Sequence, residues 1–251
     1  MQRIRIGIVS GCLGAPMRSV GKSELFHQVA TRRLADRGIK LRVSLQPIDE
    51  YRLERMLGHL EFLAVERGCD LLAFQIRPTL LRHAAVVLWK DRRGGGWPLV
   101  RLCPYYRQDL NDWTPPDGLS HVERWHQANY ALARWTGLQQ RAGMQVIYQL
   151  RAIAHHARER LRRQLVFLGP MFNGTLPPPI DRYWSPLLRQ EMEALGKPFV
   201  DLCDFRLTTT PERFEPDGFH VNRHGHEIVG ERFAAAVAAA GRRLTNPHGR
   251  R

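Results

Sequence analysis

Short apolar runs alternate with amphipathic stretches at both ends of this chain, and the alternation limits the folds it can adopt. The predicted strands are 4–9, 41–45, 70–76, 164–168 and 198–202. The stretches between them predict helices, and a last helix is predicted from about 223 to 240. Strands joined by single helices form parallel sheets, because each crossover returns the chain to the same edge. We therefore expect a three-layer α/β/α fold around a five-stranded parallel sheet.

Several helix boundaries also have local signals. Ser23 is predicted to cap the first helix, which ends at Gly38. Asp49 is predicted to open the second helix. Asn222 is the predicted N-cap of the last helix. Another helix is predicted over 184–195.

The alternation is interrupted between about residues 78 and 163. Two apolar runs, 84–90 and 97–102, flank a Gly-rich turn and predict a β-hairpin, and one or two helices are predicted between about 120 and 163. Five of the six tryptophans lie in this segment: Trp89, Trp97, Trp113, Trp125 and Trp135. Three roles fit them, namely a lid over a ligand, a staple for the hairpin and a dimer contact. We interpret the chain as one domain over 1–241 with this insertion, followed by a basic, disordered tail over 242–251.

The net charge of +14 favours an anionic partner, and nucleic acid is the first to consider. The 34 arginines are spread along the chain, however, and no nucleic-acid-binding motif is present. The one dense run, 151–163, is typical of a solvated helix face. Nucleic-acid binding is therefore the weaker alternative.

Cysteine and histidine spacing does not predict a metal site or another cofactor. The four cysteines have no paired spacing: Cys12, Cys69, Cys103 and Cys203. Gly218 argues against a helix that would bring His220 and His224 to one face. The basic start of the chain has no signal-peptide core, and no apolar run reaches the ~18 residues of a membrane span. We expect a cytoplasmic protein without a membrane span.

Loops at the carboxyl ends of the strands are where a parallel sheet binds its ligands. The four predicted loops are 10–21, 75–83, 169–183 and 203–222. The first carries Ser10 and Cys12, and the last carries Asp217 and His220. An Asp that orients a His forms the base half of a nucleophilic triad. Such Asp-x-x-His pairs are also common in ordinary surface turns, so the pair has meaning only beside a nucleophile.

The last block of the sequence resembles the SGNH hydrolases, which are the GDSL-type esterases and lipases. Asp217, His220, Asn222 and Gly225 fit that family's final motif residue by residue. Ser10-Gly11-Cys12-Leu13 stands where the family has Gly-Asp-Ser-Leu, which places Cys12 at the nucleophile position. The resemblance covers about residues 4–77 and 164–240. It implies a flavodoxin-like topology and the hydrolysis or transfer of an ester-linked acyl group, on a small molecule or a glycan.

Two other blocks depart from the family pattern. Gln75-Ile76-Arg77-Pro78 stands where the family has Gly-x-Asn-Asp, so Arg77 replaces the Asn that binds the oxyanion. The Gly after the second strand has no counterpart in Leu45-Gln46-Pro47-Ile48. We expect Gly11 and Arg77 to bind the oxyanion or the substrate, because turn amides and a guanidinium are both donors. Asn173, which follows the fourth strand, is a further candidate.

Three interpretations of the first loop stay open. Cys12 is a nucleophile that forms a thioester, or it is a small residue in a tight turn of an inactive domain that binds a carbohydrate or acyl ligand. In the third interpretation the alignment shifts by two residues and Ser10 is the nucleophile. The sequence leaves the oligomeric state open.

Overall fold

The computed structural model describes residues 2–16, 19–48, 52–77, 135, 138–172, 178–205, 210–216 and 220–245. Its strands are β1 (Gln2–Ser10), β2 (Ile39–Pro47), β3 (Leu71–Gln75), β4 (Gln164–Leu168) and β5 (Phe199–Val200). They form one sheet in the order β2-β1-β3-β4-β5, and every neighbouring pair is parallel. The predicted fold class and flavodoxin-like order are confirmed.

The part of the chain that the structure describes has five α-helices, of which the first four lie between strands and the fifth follows the last strand. They are α1 (Phe26–Ala35), α2 (Leu53–Glu61), α3 (Leu138–His155), α4 (Pro178–Ala194) and α5 (Arg223–Thr245). One π-helical turn follows α2 (Phe62–Glu66) and another follows α3 (His156–Arg160). The predicted hairpin and four of the five insertion tryptophans lie outside the described residues, whereas Trp135 is described and exposed.

Some boundaries differ from the prediction. β2 is longer than 41–45, because it pairs with β1 along the whole of both strands. β5 is shorter than 198–202, because this edge strand pairs only with the end of β4. α4 begins at Pro178, six residues before 184. α5 continues to Thr245, so the first four residues of the predicted disordered tail are helical.

Alternation within the strands separates two apolar layers. Ile4, Ile6 and Ile8 of β1 pack on one face, with α1 and α5. Val9 packs on the other face, with α2, α3 and α4. Because strand side chains point to opposite faces in turn, both faces of β1 need apolar residues, as in other buried parallel sheets. The sheet is therefore the middle layer of three.

The contact between α1 and α5 is unusually close. A Cβ at Gly230 would lie 2.5 Å from the Cβ of Val29 and 2.7 Å from the carbonyl oxygen of Phe26, so only glycine permits this approach. Phe26 and Phe233 meet edge to face in the same layer, with ring centroids 5.3 Å apart. The two helices are thereby held at a fixed separation.

Ser23 does not cap α1, and this prediction was wrong. Ser23 lies in a short 3-10 turn, Lys22–Glu24, and the N-cap position is Leu25. The first amide of the helix is satisfied from α5 instead, since the Phe26 N–H donates to Nδ1 of His226 at 3.2 Å. A tertiary contact has replaced the local cap. Asp49, the predicted start of the second helix, lies outside the described residues, and α2 itself begins at Leu53.

His27 and His226 are both buried near this contact. Burial lowers the pKa of each imidazole to about 4, and the neighbouring His27 contributes to the shift at His226. Nδ1 of His27 has no hydrogen-bond partner among the described residues. Both side chains are therefore neutral near pH 7.

The two histidines predict loss of stability in acid. Their folded pKa values lie below the ordinary 6.5, so between these values the unfolded chain binds protons that the folded chain does not, and the free energy of unfolding falls as the pH falls. His27→Phe keeps a buried ring but cannot ionise. Between pH 7 and 4.5 we expect its free energy of unfolding to fall by about 2 kcal/mol less than that of the wild type. Urea unfolding at both pH values measures this.

The control is His224→Phe, at an exposed position of the same helix as His226. It should keep the pH dependence of the wild type. Equal losses in the wild type and His27→Phe would contradict the assignment.

Candidate active site at the carboxyl edge of the sheet

The carboxyl ends of β1 and β3 lie side by side, because β1 is paired in parallel with β3 on one side and β2 on the other. Beyond the strands the loops stay attached to one another. The Ile48 N–H donates to the Ser10 carbonyl at 2.9 Å, and the Ile76 N–H donates to the Leu168 carbonyl at 2.9 Å. Three of the predicted loops therefore start from one rigid edge.

The loop after β1 opens with a single 3-10 turn, Cys12–Gly14. The Gly14 N–H closes it on the Gly11 carbonyl at 3.0 Å. Ser10 lies beneath this turn with 3% of its surface exposed, and a Cβ at Gly14 would be 2.3 Å from its hydroxyl oxygen. The structure describes the backbone of Cys12, which is the first residue of the turn.

Gln75 holds the start of this turn from the neighbouring strand. Its Oε1 accepts the Gly11 N–H at 2.9 Å, and the side chain is buried at the last position of β3. A buried amide is stable only when its polar atoms are paired, so Gln75 and Gly11 satisfy each other. Sequence reasoning missed Gln75, although a polar residue that ends the apolar run Leu71–Gln75 was a signal.

Arg77 lies directly against Gly11. A Cβ at Gly11 would be 2.5 Å from Nε and 2.8 Å from Cζ of Arg77, so the guanidinium occupies the space that any other side chain would need. Nη1 of Arg77 also donates to the Ile48 carbonyl at 3.4 Å. The structure thus brings Arg77, Gly11 and the Cys12 turn together.

His220 lies in the last loop, just before α5. Its carbonyl accepts the Glu215 N–H at 2.7 Å, and an antiparallel bridge joins Phe214 to Val221. These bonds join Phe214 and Glu215 to His220 and Val221, and His220 is half-buried. Asp217 and Asn173, which were predicted as site residues, lie outside the described residues.

Asn222 clamps the base of this loop and caps the helix, as predicted. Its Oδ1 accepts the Gly225 N–H at 2.9 Å, which is an N-cap bond. Its Nδ2 donates to the carbonyls of Glu212 at 2.7 Å and Phe214 at 3.0 Å. A Cβ at Gly225 would be 2.4 Å from the Arg213 carbonyl oxygen, so the motif glycine has a steric reason.

Ion pairs fix the chain that enters the loop. Arg232 of α5 binds both carboxylate oxygens of Asp204, at 2.6 and 2.8 Å, and Arg213 binds the same carboxylate at 3.2 Å. The hydrogen bonds from Arg232 hold the pKa of Asp204 below its usual range. Residues on either side of 206–209 are thus held to α5 through one carboxylate.

Two further cysteines, Cys69 and Cys203, are buried. Burial raises the pKa of Cys203 to about 12 and also raises the pKa of Cys69. A thiol with a raised pKa is a poor nucleophile near neutral pH.

The residues that the structure describes form neither a metal-binding cluster nor a membrane-spanning helix. No group of three His, Cys, Asp or Glu side chains there could hold a metal ion. None of the described helices combines the length and the apolar character needed to cross a membrane.

Solved structures share this architecture, whereas no protein-family model and no curated protein matches the sequence. The structure of TesA superposes with a TM-score of 0.56 at 15% identity, over 94% of this chain and 99% of TesA. The acetylxylan esterase Axe2 from Geobacillus stearothermophilus gives 0.52 at 13% identity, over 93% and 94%. The chain has the SGNH-hydrolase fold. A lipase/acylhydrolase from Enterococcus faecalis gives 0.50 at 13% identity, over 95% and 96%.

The contact between Gly11 and Arg77 predicts a coupled pair of substitutions. Gly11→Ala should cost about 1–3 kcal/mol of unfolding free energy, because the new Cβ overlaps the Arg77 side chain. In an Arg77→Ala background the same change should cost much less, since the overlapping atoms are gone. Urea unfolding of the four proteins gives the coupling energy. Equal costs in both backgrounds would show that Arg77 does not pack on Gly11.

The three hydrogen bonds of Asn222 predict how two substitutions at this position differ in stability. Asn222→Asp keeps an oxygen for the Gly225 N–H but replaces Nδ2 with a carboxylate oxygen that faces two carbonyls. Asn222→Ala loses all three bonds without this repulsion. We expect Asp to destabilise at least as much as Ala, by about 1–3 kcal/mol, in urea unfolding. If Asn222 only capped the helix and did not bind the two carbonyls, Asn222→Asp would leave the free energy of unfolding nearly unchanged.

Proposed function

We propose that this chain hydrolyses or transfers an ester-linked acyl group, with Cys12 as nucleophile, His220 as general base and Asp217 as the residue that orients His220. The observation that carries the proposal is the placement of the Cys12 turn, packed on Arg77 and Gln75 at the carboxyl end of β1 in an SGNH-hydrolase fold. Two proteins of this fold named above are an acetylxylan esterase and a lipase/acylhydrolase, which supports an acyl ester as the substrate class.

The proposed reaction has two acyl-transfer steps. His220 takes the proton of the Cys12 thiol, and the sulfur attacks the ester carbonyl to give a tetrahedral intermediate. Its collapse breaks the ester C–O bond, and His220 returns the proton to the leaving alcohol. Water or an acceptor alcohol then attacks the thioester, with His220 again taking the proton. The thiol is restored, and the acid or a new ester leaves.

Oxyanion stabilisation is assigned to the Cys12 N–H and the Arg77 guanidinium. The Gly11 N–H already donates to Gln75, so we give Gly11 the role of admitting Arg77 rather than that of a donor. A guanidinium is a charge-assisted donor and stabilises an oxyanion more strongly than a neutral amide. The same positive charge beside the turn favours the thiolate form of Cys12.

Cys12 is preferred to Ser10 because the Ser10 side chain is buried beneath the turn. Ser10 is almost completely buried and its hydroxyl lies against Gly14, whereas Cys12 begins the turn above it. A nucleophile must reach an ester carbonyl at about 3–3.5 Å, which a buried hydroxyl under a turn does not do.

Several arginines of the basic run 151–163 make contacts within the protein. In the run 151–163, Arg151 pairs with Glu191, Arg158 pairs with Glu159, and Arg163 donates to the Cys69 carbonyl. The Arg151 contact holds α3 to α4, and the Arg163 contact holds the segment after the turn to the start of β3. These contacts do not favour nucleic-acid binding over ester chemistry.

The test is turnover of p-nitrophenyl acetate and of an acetyl thioester by purified protein. Cys12→Ala and His220→Ala should each lower kcat/KM by about 10²–10⁴-fold, because each removes a group that reacts in the rate-determining chemistry. Ser10→Ala separates the two nucleophile assignments, since it should leave kcat within about threefold if Cys12 reacts. Continuous absorbance assays measure all four proteins.

Cys69→Ala is the matched control, because Cys69 is a buried thiol next to the amino end of β3, at the other edge of the sheet. It should keep full activity. Equal rates in the wild type, Cys12→Ala and His220→Ala would contradict the proposal. The alternative would then be an inactive domain that binds a glycan or acyl ligand.

A further inference from the structure

We infer that Glu215 is a positioning residue that holds the His220 loop against the Cys12 loop. The inference rests on the proposed function, because it gives a catalytic reason for a contact between those two loops. Glu215 does not contact the reacting atoms in this assignment. It acts through His220.

Glu215 touches both loops at once. Its backbone N–H donates to the His220 carbonyl at 2.7 Å, so the two residues face each other across the closed loop. Its carboxylate oxygen Oε1 accepts the hydroxyl of Ser19, which lies in the loop after β1. Ser19 is seven positions beyond Cys12 in the chain, and 196 positions separate it from Glu215.

The carboxylate side of this contact is buried, whereas Ser19 is exposed. Glu215 is 7% exposed, and a buried carboxylate is costly unless its oxygens are hydrogen-bonded. Hydrogen bonds to charged groups are roughly twice as strong as those between neutral groups. The carboxylate therefore ties Ser19 more firmly than a neutral acceptor would.

The helices that follow both loops are held together without Glu215. Phe26 of α1 donates to His226 of α5, and Gly230 packs against Val29. Loss of the Glu215 contact should therefore leave the helices in place and free only the loops between them and the sheet. A general base displaced by about 1 Å costs on the order of 10²-fold in rate, so loop placement matters for catalysis more than for folding.

The experiment compares Glu215→Leu, Glu215→Gln, Ser19→Ala and the Ser19→Ala/Glu215→Leu double variant with the wild type. Glu215→Leu and Ser19→Ala should lower kcat about 10- to 100-fold with little change in KM, since substrate contacts are unaffected. The double variant should be no slower than Glu215→Leu, because both changes remove one contact. Glu215→Gln should recover part of kcat, since its amide oxygen still accepts the Ser19 hydroxyl.

A second readout does not depend on turnover. Iodoacetamide alkylation of Cys12, followed by peptide mass spectrometry across pH, reports the thiolate that His220 stabilises. Glu215→Leu and Ser19→Ala should shift the alkylation midpoint towards the value of His220→Ala, by the same amount. Hydrogen exchange of the backbone amides over 210–222 should rise in both variants.

Glu191→Gln is the matched control. Glu191 is 6% exposed and pairs with Arg151 at 2.6 Å on α4, in the other helical layer. It should lower stability and leave kcat, KM and the Cys12 alkylation midpoint unchanged.

The outcomes separate the two claims. Unchanged kcat, alkylation and exchange in Glu215→Leu, or multiplicative losses in the double variant, would overturn the inference. Absence of ester turnover in the wild type would overturn the proposed function alone, because alkylation and exchange still decide whether Glu215 positions the loop.

Discussion

The double pairing of β1 is the constraint on which the rest of this structure depends. β1 is hydrogen-bonded to β2 along its whole length and to β3 over its second half. Both faces of the strand are covered by helices, so its position is set by apolar burial on two sides as well as by two ladders. The turn that follows Ser10 is therefore held in place by β1. A reactive side chain gains most from such a support, because rate falls steeply with misplacement.

Three glycines near the first and last loops allow another segment to come very close to their backbone. Gly11 admits the Arg77 guanidinium, Gly225 admits the Arg213 carbonyl, and Gly230 admits α1. The Gly11 and Gly230 contacts join segments that are distant in the chain, whereas the Gly225 contact joins neighbouring segments, and each would be blocked by one methyl group. Together with the Asn222 clamp and the Ser19–Glu215 bond, they hold the first and last loops at one edge of the sheet. The chemistry proposed for Cys12 and His220 needs this arrangement.

Periodicity predicted the elements well where burial alone decides them. The fourth strand was predicted over 164–168 and is β4, Gln164–Leu168, because its interior residues are buried against both layers. Prediction failed where long-range contacts decide. Ser23 was a plausible local cap, but His226 supplies the acceptor from about 200 residues away. β5 was predicted too long, because the extent of an edge strand depends on its single neighbour.

The sequence by itself determined the α/β alternation, the three-layer class and the Asn222 cap, because these follow from local periodicity and from side chains that bond within three residues. The resemblance to the SGNH hydrolases also singled out Arg77 and His220 as candidate site residues, and their catalytic roles stay a prediction. Only the tertiary structure decided that Arg77 packs on Gly11, that Gln75 takes the Gly11 amide, and that Glu215 joins the two loops. The physical reason is separation along the chain: these contacts join residues 64 to 196 positions apart, and no local pattern records which distant side chain fills a given space.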